Sequence, residues 1–264
     1  MNKNTDMILK FALISLTILF TFTTFSSCKK KSEELIPEPE RGTVKDANGN
    51  VYQTIKIGNQ WWMTENLRAT SYRDGSPIKE YDESNTTDWA NDMNGGCSEY
   101  LTATSNANTG LLYNWYAIQN PKGILPEGWR IPRDEEWQEL EWKLGMSYEE
   151  IHKTGWRGAA EGDKLKKYEG VETIGGKSML TRYWEPYGEV FPTNESGFSA
   201  IAGGYRMPNG TWGSKQTNRT TFFWTSTPEG GNEIWYRYLD FQKSGIFRYH
   251  GSKAYGFSVR YVKN

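Results

Sequence analysis

The C-terminal third of the chain reads Thr221-Phe-Phe-Trp-Thr-Ser-Thr227, Ile234-Trp-Tyr-Arg-Tyr-Leu-Asp-Phe241, Gly245-Ile-Phe-Arg-Tyr249 and Tyr255-Gly-Phe-Ser-Val-Arg-Tyr-Val262. Each run is β-branched or aromatic, and Gly, Asn and Ser turns separate them, which is the signature of successive strands. Alternation in the second run sets Ile234, Tyr236, Tyr238 and Asp240 on one face. Trp235, Arg237, Leu239 and Phe241 take the other. Strands also open the domain, where Asn48-Gly49 supplies the positive φ angles of a tight hairpin turn. Just after it, Val51, Ile55 and Ile57 are expected on one strand face, with Tyr52, Thr54 and Lys56 on the other. Asp46-Ala-Asn-Gly-Asn50 resembles the start of a calcium loop, but the downstream Glu is missing and the hairpin reading prevails.

The middle of the chain is helical. Trp137, Leu140 and Leu144 follow an i, i+3, i+7 stripe over Asp134–Leu144, with Pro132 ahead and Gly145 behind. Asp134, Glu135 and Glu136 put negative charge at the favourable end of the helix dipole. Ser147 and Glu150 form a capping-box pair that starts a second, short helix ending near Thr154-Gly155. Helices in the middle and strands at both ends define an α+β class with two short helices, not an alternating parallel sheet.

The chain has 264 residues, with 31 Lys+Arg against 32 Asp+Glu. That balance supplies no basic face for phosphate, which argues against nucleic acid. Two His and two Cys, in none of the usual ligand spacings, argue against a zinc site. Aromatic residues make up 15% of the chain, so its core is expected to rest on Trp, Tyr and Phe.

Residues 1–27 read as a signal peptide, whose apolar stretch of about 15 residues is too short to span a membrane. Its end, Phe25-Ser26-Ser27-Cys28, resembles the lipobox of bacterial lipoproteins, with Phe25 in place of the usual Leu. The resemblance implies lipidation at Cys28 and a membrane partner held through acyl chains. Residues 28–42 then form a charged, proline-containing tether, whose fourteen residues after Cys28 reach about 45–50 Å when extended. Ser32-Glu33-Glu34 resembles the acidic export tag of some Bacteroidota lipoproteins, which implies surface display at the outer membrane. From Thr43 to Asn264 no linker or repeat interrupts the sequence, so residues 43–264 are expected to form one domain.

A set of motifs in this domain resembles the Fibrobacter succinogenes major paralogous domain. They are Asp46–Leu67, Leu112-Tyr-Asn-Trp-Tyr-Ala117, Pro126-Glu-Gly-Trp-Arg-Ile-Pro132, Gly155-Trp-Arg-Gly158, Asn194-Glu-Ser-Gly-Phe-Ser-Ala200, Gly203-Gly-Tyr-Arg206 and Gly256-Phe-Ser-Val-Arg260. The resemblance implies a C-type-lectin-like fold of twisted antiparallel sheets and long loops, in an extracytoplasmic protein that is often lipid-anchored. Gly128–Trp137 is also similar to sulfatase-modifying, formylglycine-generating domains. Members often carry cysteines where Leu125 and Tyr261 stand here, which implies a domain without that disulfide. Arg133 replaces the usual Thr cap of the first helix, a loss of about 1 kcal/mol unless Asp134 takes over.

Catalytic patterns are thin. Cys97 is the one thiol left after lipidation, and only His152 and His250 are available as its base. The domain has no cysteine after Cys97, whereas formylglycine-type oxidation needs a cysteine pair there. Glu135 and Glu136 read as helix-start charges and not as a glycosidase dyad. The expected function is therefore a non-catalytic binding or adhesion module of the cell envelope, recognising polysaccharide or a surface protein. The alternatives are an extracytoplasmic enzyme on glycans or peptides, or a purely structural envelope protein. The expected ligand contacts are Trp89 with Asp88, Asn91 and Asp92, and Trp212, on polar loops near residues 73–109 and 207–220. Indole faces stack on sugar rings, amides and carboxylates meet hydroxyls, and the carboxylate density of residues 82–94 suits Ca²⁺.

Overall fold

The computed structural model describes residues 38–100, 109–174, 177–213 and 219–264. The expected leader, the lipidation site Cys28 and most of the tether lie outside the described residues, as do parts of both polar loops. Among the described residues no helix is long and apolar enough to cross a membrane.

In chain order the first elements are β1 (Arg41–Lys45), β2 (Val51–Ile57), β3 (Gln60–Met63), β4 (Lys79–Glu80), α1 (Thr86–Asn91), β5 (Gly96–Glu99), β6 (Leu111–Tyr113) and α2 (Trp115–Ile118). β7 (Trp129–Arg130), α3 (Asp134–Lys143), α4 (Tyr148–His152), β8 (Gly155–Arg157), α5 (Glu161–Leu165), β9 (Glu169–Ile174) and β10 (Lys177–Arg182) follow. The chain closes with β11 (Thr220–Gly230), β12 (Glu233–Asp240), β13 (Ile246–Ser252) and β14 (Val262–Lys263). The strands form a five-stranded sheet β1-β2-β3-β14-β7, a four-stranded sheet β11-β12-β13-β8, a three-stranded sheet β4-β5-β6 and the hairpin β9-β10. All pairings between these strands are antiparallel except β4 with β5. The class is α+β, with five short helices among the described residues where two were expected.

The opening hairpin turns at Gly49, whose φ of +86° is the left-handed backbone that glycine adopts at no steric cost. Asp46 locks the turn by accepting from Asn50 N at 2.9 Å and from the Tyr52 hydroxyl at 2.6 Å. The faces of β2 alternate as expected, but burial does not follow its apolar residues. Tyr52 and Thr54 are buried with Ile55, while Val51 is 47% exposed. β2 lies between two strands with side chains packed on both faces, so alternation does not separate core from solvent. The final run is also corrected, since only Val262–Lys263 is strand and residues 256–258 make isolated bridges to Arg206, Tyr113 and Phe223.

Two cores flank the sheets. Met63, Tyr261 and Trp224 enter one, while their chain neighbours Trp62, Val262 and Phe223 enter the other. In the second core Trp137, Leu140 and Leu144 bury the expected stripe of α3. The Trp137 ring meets Trp62 edge-on at 5.1 Å and packs on Phe198 and Phe223 at 5.5 and 5.6 Å. The start of α3 is capped from elsewhere. Thr227 Oγ1 on β11 accepts from Asp134 N at 2.9 Å, and the Glu136 carboxylate accepts from Arg133 N at 2.8 Å. Ser147 caps α4 as expected, its hydroxyl accepting from Glu150 N at 3.2 Å.

Candidate functional site: an aromatic sheet face

The four-stranded sheet sorts its side chains by face. Cross-strand pairing aligns Trp156 on β8 with Phe247 on β13, Phe247 with Tyr238 on β12, and Tyr238 with Phe222 on β11. Directly paired residues share a face, so four rings form one ladder across four strands. Adjacent centroids lie 5.3, 5.8 and 4.3 Å apart, the last pair stacked with planes 7° apart. A second row on this face runs Tyr249, Tyr236, Trp224. The strand spacing makes the ladder about 14 Å long.

Exposure is graded along it. Trp224 and Phe222 are buried in the first core, Tyr236, Tyr238 and Phe247 are half-buried, and Trp156 and Tyr249 are 37% and 44% exposed. Tyr205 extends the face beyond Phe222 at 4.4 Å. A Cβ on Gly213 would fall 1.9 Å from the Tyr205 ring, so glycine there makes room for it. Polar groups fringe the rings. The Tyr238 hydroxyl donates to the Asp240 carboxylate, and His250 stacks on Tyr249 at 4.4 Å with Nδ1 2.5 Å from the Glu233 carboxylate.

The reverse face of the same sheet holds a buried charge network. Arg237 Nη1 donates to Asp134 at 2.6 Å and its Nε to Glu141 at 2.5 Å. Arg157 reaches both oxygens of Glu141 at 2.8 and 2.9 Å, and Arg248 Nη2 donates to Asp134 at 2.7 Å. Burial opposes ionisation of Asp134, but the Arg237 charge and the bonds from Arg248 and Arg237 outweigh it and hold the carboxyl down at about 2. Three arginines are thus paired with carboxylates internally and withdrawn from the aromatic side.

The residues expected to hold a ligand do other work. Trp89 has no exposed surface. Its Nε1 donates to Ala254 O at 2.9 Å, Tyr81 meets it edge-on, and the Arg206 guanidinium lies 4.7 Å from its ring. Trp212 is half-buried, 5.1 Å from the other side of this system at Arg206 and 5.1 Å from Tyr100. Trp89 therefore is not a sugar platform, because its apolar area is spent inside the fold. Arg206 in turn bonds Gly210 O, Ser98 Oγ, Tyr81 O and Asp82 O, tying two polar segments together. Asp88 and Asn91 are exposed on α1, and Asn91 Nδ2 donates to Thr87 O at 3.0 Å. Asp92 is buried and accepts from Asn94 N and Gly95 N. Among the described residues no three His, Cys, Asp or Glu side chains gather to hold a metal ion.

Cys97 is a free, fully buried thiol whose pKa burial pushes far up, the opposite of an activated nucleophile. His152 Nδ1 lies 2.7 Å from Tyr148 O, so neither histidine has the thiol as its partner. Glu136 pairs with Arg130, while Glu135 is exposed.

Of the motif arginines, Arg157, Arg206 and Arg260 are internal, while Arg130 is half-exposed and pairs with Glu136. Arg157 pairs with Glu141 of α3, Arg206 ties two polar segments together, and Arg260 donates to Met63 O, Phe198 O, Ser199 O and Asn66 Oδ1. These motifs encode a scaffold, and a scaffold is what sequence comparison recognises. Residues 55–263 match the Fibrobacter succinogenes major domain, and the chain belongs to that family. No curated protein matches the chain, and no solved structure does.

Proposed function

We propose that this chain is a non-catalytic cell-envelope module, lipid-anchored through Cys28, whose aromatic sheet face binds an uncharged polysaccharide. The observation that carries the reading is the cross-strand ladder Trp156–Phe247–Tyr238–Phe222, open at its Trp156 end. The exposed Trp156 and Tyr249, with the half-buried Phe247 and Tyr238 between them and the buried Phe222 as support, offer apolar surface to sugar faces, and the fringing hydroxyl, carboxylate and imidazole groups exchange hydrogen bonds with sugar hydroxyls. The sheet's arginines lie on its reverse face, which leaves the ladder suited to neutral and not acidic sugars. A C-type-lectin-like fold at the outer membrane is part of this reading, and the curled antiparallel sheets are consistent with it.

Affinity electrophoresis of the full-length chain through gels containing neutral polysaccharides tests it. Retardation is expected for the wild type and expected to be lost in Trp156→Ala and Tyr249→Ala, with melting temperatures nearly unchanged. Retardation that persists in both variants, or that appears only with acidic polysaccharides, refutes it.

A further inference from the structure

On the far side of α3 from its buried stripe, Glu135, Gln138, Glu139 and Trp142 follow i, i+3, i+4 and i+7 and form a second stripe. Tyr148, Ile151 and His152 on α4 face it across a cavity of about 310 Å³. That volume is at the small end of ligand pockets. Trp142 is 53% and Tyr148 75% exposed, a large amount of aromatic surface for two neighbouring helices to leave in water. The ladder does not use this surface.

We propose that this groove binds a lysine or arginine side chain of a polypeptide partner. Its two long walls are aromatic, Trp142 on one helix and the Tyr148–His152 pair, 4.5 Å between centroids, on the other. Ile151, largely buried in the second core, also lines the cavity and offers an aliphatic contact for the stem. The charged side chains lining the cavity itself are the carboxylates Glu135 and Glu139, with Lys143 beside the indole wall. The buried and half-buried ion pairs of α3 take up Asp134, Glu136 and Glu141, and leave Glu135 and Glu139 facing the cavity. Glu139 accepts from the uncharged Gln60 amide at 3.0 Å. Aromatic faces attract cations, and an incoming cationic head competes for this indole with Lys143 Nζ, 4.7 Å from its centroid. Together an apolar stem and a cationic head match what the groove offers, whereas an anion meets two carboxylates.

The test is an NMR titration of the full-length chain, followed at the backbone amides of Gln138 and Ile151. The probes are the blocked tripeptide Gly-Lys-Gly, its Nε-acetyl-lysine counterpart and its norleucine counterpart. Saturable shifts are expected with lysine, and affinity roughly tenfold weaker with either uncharged side chain. Trp142→Ala and Glu135→Gln should each weaken lysine binding about two- to five-fold, and both positions are exposed enough to leave the fold intact. Polysaccharide retardation should be unchanged in both. Equal affinity for lysine and norleucine, binding indifferent to both substitutions, or no saturable shift overturns the proposal.

Discussion

Replacing Asp134 by Asn removes one of the two carboxylates that three buried arginines share. Arg237 and Arg248 both donate to Asp134, and after the substitution only Glu141 remains to balance Arg157, Arg237 and Arg248. Breaking a buried pair by removing one partner leaves an uncompensated charge and costs about 3–5 kcal/mol. The pH dependence gives a sharper signature than the size. The folded carboxyl titrates at about 2 against an ordinary 3.8, so the unfolded chain takes up the proton first. The stability this group contributes is complete above about pH 4 and is lost as pH falls toward 2. Its depth is about 2–2.5 kcal/mol, from the shift at 1.36 kcal/mol per unit. Denaturant unfolding of wild type and Asp134→Asn, at pH 7 and in steps from 4.5 to 2, reads both quantities. The gap between the proteins should be about 3–5 kcal/mol at neutral pH and should narrow by about half on acidification. A gap under 1 kcal/mol, or one that does not change with pH, refutes the network as a structural element.

Trp89→Ala should cost about 3–5 kcal/mol in denaturant unfolding, because the ring is fully enclosed; a variant as stable as wild type would return this residue to the surface. Cys97 should resist an aromatic disulfide reagent in the native chain and react once the chain unfolds, since burial raises its pKa; rapid native labelling would contradict its enclosure.

Local patterns were legible where one element carries its own signal. The stripe of α3, the Ser147 cap and the Gly49 turn each depend on residues a few positions apart. Alternation in β12 separated the half-buried Tyr236 and Tyr238 from the buried Trp235, Arg237 and Leu239. The ladder itself was not legible, because it exists only in the register of four strands drawn from residues 155 to 252. Trp89 misled because its neighbours are Asp88, Asn91 and Asp92. A six-residue helix needs only one inward residue, and the surrounding polarity says nothing of which way that residue turns. The buried arginines were not legible either. Their burial depends on carbonyls and carboxylates far away in sequence, as when Arg260 meets Asn66 across 194 positions.

The two-residue strand β14 has a consequence for the order of assembly. β14 sits between β3 and β7, pairing Val262 with Trp62 on one side and with Arg130 on the other. Until residues 262–263 arrive, the first three strands and β7 have no common neighbour, and the five-stranded sheet stays split in two. A ribosome-bound or partly emerged chain therefore lacks the keystone of its main sheet, however much of it is already synthesised. Closure at such sequence distance makes folding slow compared with a protein of local contacts. Deleting residues 262–263 should accordingly harm folding far more than their number suggests, because they lie at the centre of a sheet and not at its edge.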